Sequence, residues 1–239
     1  VAVLVGEGSE SAATLLKSPL DAVRLGAATG LRIRGDRAQL LEAATDPLLV
    51  SVAIAACTDV PQTLASIEAL LRLEPLTQAD ATVGEAWTEA LGVVLGGLAP
   101  DALLGADEQL ARRPELFDLV RTALHRSATR DDVDLVTREA AARRLSARLI
   151  EREEPLEAAA ELRAAGASAT SALGSELFEA LLLGKSWDEA AFIRAEPSAW
   201  VVVLKTQRTA RPAFATLLAA EIATRFDVEL TRATDDSPE

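Results

Sequence analysis

The stretch "SPLDAVRLGAATGL", Ser18 to Leu31, decides the fold class of this chain. Serine followed by proline reads as a helix start: the hydroxyl can cap, and the first turn tolerates a residue without an N–H. Val23, Ala27, Ala28 and Leu31 then recur at helical spacing on one side. That side has little bulk and few polar groups. It suits a ligand niche, a membrane contact or a helix that must lie close to another. "RGD" at Arg34 to Asp36 ends the run, and Gly35 is a natural left-handed residue just past a helix.

Outward from this stretch the period stays helical, with proline and glycine as punctuation. A short helix is expected from Arg37 to Ala44, and Asp46-Pro47 opens another to about Thr58. The pattern restarts at Asp59-Val60-Pro61 and is expected to break at Glu74-Pro75. Ala79 to Leu95 follows, stopped by Gly96-Gly97. Further helices are expected near Pro100 to Arg112, Pro114 to Arg126, Asp131 to Arg152 and after Pro155. "AAGASAT", Ala164 to Thr170, reads as a loop. Helices resume near Ser171 to Leu183, Trp187 to Arg194, Pro197 to Gln207 and Pro212 to Phe226. "WVVVLK" (Trp200 to Lys205) and the opening "VAVLV" are the only strand candidates, too few for a sheet.

The pattern also repeats. "VRLGAATGL" (Val23 to Leu31) aligns with "VAIAACTDV" (Val52 to Val60) and "VGEAWTEAL" (Val83 to Leu91), at offsets of 29 and 31 residues. "TREAAARRL" (Thr137 to Leu145) is a fainter echo. Two copies follow a proline, as "SPLDAV" and "TDPLLV". This spacing resembles the short HEAT-like repeats of the phycobilisome-lyase type, roughly D-P-x-x-V-R-x-x-A-A-x-A-L. Pro19, Val23, Arg24, Ala27, Ala28 and Leu31 are in register. The second copy keeps Asp46 and Pro47, displaced by one residue, and has Ala53 in place of the arginine; the third lacks both proline and arginine. The resemblance covers residues 18 to 95. It implies an α-solenoid of stacked antiparallel helix pairs, an architecture of scaffolds and binding surfaces. Physically, one helix pair has too small a core alone, and neighbours bury its open face. The alternative is an irregular helical bundle. Residues 1–163 are expected to form the repeats, and 164–239 an irregular helical cap continuous with them.

Bulk properties fit an ordinary globular balance. Of 239 residues, 49% are hydrophobic and 26% charged, but only 3% are aromatic, so alanine, leucine and valine must build the core. Lys17, Lys185 and Lys205 are the only lysines, and the arginine and alanine excess resembles GC-rich bacterial coding. With no methionine, the sequence is expected to be a processed or trimmed piece, and "VAVLVGEGSES" reads as a short strand or a disordered lead, or else the remnant of a longer apolar segment. No run approaches the ~18 apolar residues of a membrane span, so a cytoplasmic location is expected, with export left open.

Chemistry is sparsely provided. Cys57, the lone cysteine, sits in "VSVAIAAC" and reads as a buried hydrophobe. His125, the lone histidine, has no nucleophile-elbow pattern beside it, and one His with one Cys cannot build the usual zinc set. "LLLGKSW" (Leu181 to Trp187) ends like a phosphate loop but has Glu179 where that loop needs glycine, so Gly184 reads as a helix end. "DDVD" (Asp131 to Asp134) reads as a helix N-terminus. The stripe Arg144, Arg148, Arg152 is interleaved with acids and lacks stacking aromatics, which suits a salt-bridged face better than nucleic acid. No catalytic residue, metal or cofactor is expected.

Net charge is −13, unevenly spread. From Pro61 to Leu110, eight acids face one base, Arg72. Such a segment repels nucleic acid and anionic lipid and attracts a basic surface. The expected function is therefore a non-enzymatic scaffold or protein-binding module. Its alternative is an acidic immunity- or antitoxin-type inhibitor of a basic partner; a helical enzyme domain with a carboxylate pocket ranks below both. Candidate partner-binding residues are Glu68, Glu74, Glu85, Glu89, Asp107 and Glu108, with Trp187 and Trp200 as possible anchors.

Overall fold

The computed structural model describes residues 11–59, 61–78, 80–168 and 171–186, with single positions at 208, 215, 216 and 219. All regular structure among the described residues is helical. The chain divides into two compact units, Val1–Ala123 and Leu124–Glu239. The change of character expected at residue 164 thus falls inside the second unit.

In the first unit the helices are α1 (Ala12–Leu15), α2 (Asp21–Arg34), α3 (Arg37–Ala43), α4 (Pro47–Cys57), α5 (Leu64–Thr77), α6 (Ala81–Gly97) and α7 (Pro100–Leu110). A 3₁₀ turn at Pro114–Leu116 leads into α8 (Phe117–Thr129), within which the division between units falls. The second unit holds α9 (Leu135–Glu151), α10 (Pro155–Ala164) and α11 (Gly174–Leu183). Among the described residues no helix is long and apolar enough to cross a membrane.

Packing in the first unit follows a simple order. α2 packs against α3 and α4, α4 against α5 and α6, and α5 against α6 and α7. Ala27, Ala28 and Leu31 of the opening stretch are fully buried, so their small side chains serve helix contact. α4 lies against α2, α3, α5 and α6, and is accordingly apolar almost all round, with Leu49, Val50, Ala53, Ile54, Ala56 and Cys57 buried. Asp46 caps α4 by accepting from the Leu48 N–H at 3.0 Å. Its other oxygen accepts from Arg24 Nε at 2.8 Å, which ties α2 to the start of α4. Arg32 grips Asp59 with two bonds, at 3.0 and 2.9 Å, and Arg37 reaches the Asp59 carbonyl. The paired guanidinium of Arg32 holds the Asp59 carboxyl below its ordinary value. In the second unit α9 packs on α10 and α11, and α10 on α11.

Three expected boundaries are corrected. Ser18 does not cap α2; the helix begins at Asp21, and Ser18 Oγ accepts from the Leu20 N–H two residues on. Gly96 and Gly97 lie inside the last turn of α6, which ends at Leu98 with an extended backbone. Pro75 does not end α5, which continues to Thr77. Proline removes one donor from the helix ladder near its end. The carbonyl that loses its donor is that of Leu71. In the same turns Trp87 Nε1 donates to the Leu70 carbonyl at 2.6 Å, and Thr77 Oγ1 to that of Glu74 at 2.8 Å.

Candidate functional site

A groove of about 740 Å³ opens on the first unit. Its walls are the end of α5, with Glu74, Thr77 and Gln78, and Leu119 of α8. Its floor is one side of α6: Ala81, Gly84, Glu85, Thr88, Glu89 and Gly92, with Trp87 beneath. Positions 81, 84, 85, 88 and 92 follow helical spacing, so they share a face by construction. Trp87 is only 5% exposed and fixed through its indole, which gives the floor a rigid base.

Two features of this face oppose local helix preference. Gly84 and Gly92 stand inside a helix, where glycine costs about 0.5–1 kcal/mol relative to alanine. Neither is demanded by crowding: a Cβ at Gly84 would meet only the Thr77 carbonyl at 3.8 Å, and one at Gly92 only Leu119 Cδ2 at 3.5 Å. Glu85 and Glu89 are like charges one turn apart, a mildly repulsive spacing. Both are exposed, and neither has an ion-pair partner among the described residues. Glu74 differs: Arg113 pairs with it from beyond α7, and also bonds Glu115 at 2.7 Å. Those hydrogen bonds hold the Arg113 guanidinium firmly charged and the Glu115 carboxyl low.

Of the expected partner-binding residues, the structure brings Glu74, Glu85 and Glu89 to one groove. Glu68 and Glu108 are exposed elsewhere on α5 and α7. Asp107 is a correction: it is fully buried on the same side of α7 as Leu103, Ala106 and Leu110, so it offers nothing to a surface partner. Trp187 and Trp200 lie outside the described residues. Sequence reading missed Gly84, Gly92 and Leu119 as groove residues, and Arg113 as the neutralising partner of Glu74. No family model, curated protein or solved structure matches this chain.

The remaining motifs have structural positions. Gly35 adopts φ +76° at the end of α2, Asp36 caps α3, and Arg34 pairs with Asp36 at 3.1 Å. Asp134 caps α9, accepting from the Thr137 N–H at 3.0 Å and Oγ1 at 2.6 Å, and these bonds lower its carboxyl. Asp132 pairs with Arg130. Gly184 ends α11. His125 Nδ1 faces the Glu161 carboxylate of α10. Arg143 joins α9 to Glu176 at 2.7 Å. Cys57 is 2% exposed, and burial pushes its thiol up to about 11, away from reactivity. No group of three His, Cys, Asp or Glu side chains is arranged around a common metal position among the described residues.

Proposed function

We propose that this chain is a non-enzymatic protein-binding module whose partner presents a basic surface to the first unit. The observation behind this is the convergence of Glu74, Glu85 and Glu89 on one groove, with Glu74 alone of the three paired to a cation among the described residues. Uncompensated carboxylates around a rigid, partly apolar floor favour a cationic partner and repel nucleic acid and anionic lipid. We further propose that residues 18–110 form an α-solenoid of HEAT-like pairs: α2 with α3, α4 with α5, α6 with α7. Support comes from the contacts of α2 with α4, α4 with α6 and α5 with α7, in which equivalent helices of successive copies meet. The Arg24–Asp46 bond supports it too, since it joins the repeat arginine of one copy to the repeat aspartate of the next.

The test is a native pull-down at low salt, with the retained protein identified by mass spectrometry. A stoichiometric partner with a basic surface is expected, released as salt screens the contact. If the chain emerges alone and monomeric at low salt, the proposal fails.

A further inference from the structure

We infer that the groove receives an α-helical segment of the partner, laid along α6, with two basic side chains one turn apart set against Glu85 and Glu89. This rests on the protein-binding reading above and goes further by naming the occupant. The floor from Ala81 to Gly92 covers three helical turns, about 16 Å, which matches a short docked helix. Gly84, Thr88 and Gly92 recur every four residues, the spacing of a shallow ridge on which a second helix can lie close. Their neighbours do not require them to be small, since alanine would fit at both glycines. Glu85 and Glu89 repel each other across one turn and have no cation among the described residues. Three local choices on one face thus work against the helix that bears them, with no return among the described residues. Such inconsistency marks a surface kept for something else. Arginines or lysines at the same four-residue spacing on a partner helix supply the missing charge, and the glycines leave room for its backbone.

The test uses the full chain and a fluorescent amphipathic peptide of about four helical turns with two arginines four residues apart. Anisotropy titration is expected to show binding that weakens about tenfold in Glu85→Gln/Glu89→Gln. It should weaken similarly when the arginines are moved to opposite faces of the peptide. Gly84→Ala/Gly92→Ala is expected to weaken binding while raising the melting temperature, an opposition that a purely structural glycine would not give. Absence of binding, equal binding by the rearranged peptide, equal binding by spermidine, or unchanged affinity in either variant would overturn the inference. The native partner separates this from the broader proposal. If it is captured equally by Glu85→Gln/Glu89→Gln, the groove assignment falls and the protein-binding reading stands. If none is captured by the unaltered chain, that reading falls.

Discussion

Four helix ends among the described residues close in the same way, and two of them do so without glycine. Asp36, Glu154, Ala167 and Ser186 each donate a backbone N–H to the carbonyl five residues earlier, at 2.9–3.0 Å. The residue before each donor must be left-handed. Gly35 and Gly166 take φ of +76° and +87° freely, whereas Glu153 and Lys185 are held at +63° and +56°. A side chain there is strained by about 1–2 kcal/mol. Glu153→Gly is therefore expected to raise stability by about 1 kcal/mol in urea unfolding, and Gly35→Ala to lower it similarly. A loss on Glu153→Gly would mean that its side chain offsets the strain. Cys57 carries a pH dependence of defined sign. Its folded thiol titrates near 11, against an ordinary 9. Its contribution is complete below pH 9 and is lost as pH rises toward 11, because the unfolded thiol ionises first. The loss should approach about 2–3 kcal/mol. Comparing Cys57→Ala with the parent across that range checks it: the variant should lack this part of the slope.

At the scale of elements, Asp46 does two jobs, as cap of α4 and as anchor for Arg24. Asp46→Ala is expected to cost about 1–2 kcal/mol, and Asp46→Asn, which keeps the cap, less than half of that. Thermal unfolding of the two variants beside Arg24→Ala separates the roles; equal losses for both Asp46 variants would assign everything to the ion pair. Most helices were legible because apolar spacing and proline or glycine punctuation agree, as at Arg37, Asp46-Pro47 and Pro100. The ends were less legible. Pro75 looks like a breaker in isolation, yet it stands two residues before the end of α5, where it forfeits a single ladder bond, and the helix runs on to Thr77. The short α1 was missed because one turn is too brief to show a period.

For the whole molecule, the acidic bias between Pro61 and Leu110 was visible in composition, but the groove was not. Which acids meet depends on how α5, α6 and α8 pack, and on Arg113 folding back across 39 positions to reach Glu74. Asp107 was readable after all: it falls on the apolar stripe of Leu103, Ala106 and Leu110, a position for burial. The order of packing has a kinetic consequence. Within each unit, the substantial helix contacts among the described residues join elements one or two places apart. Little loop entropy must be overcome before a contact forms, so refolding should be fast, in the microsecond-to-millisecond range of low-contact-order helical proteins. Stopped-flow refolding dominated by a phase slower than about a second would contradict this. On the ribosome, the same locality lets α2 and α3 settle against α4 while later helices are still being synthesised, limiting the time that apolar faces such as Ala27, Ala28 and Leu31 wait uncovered.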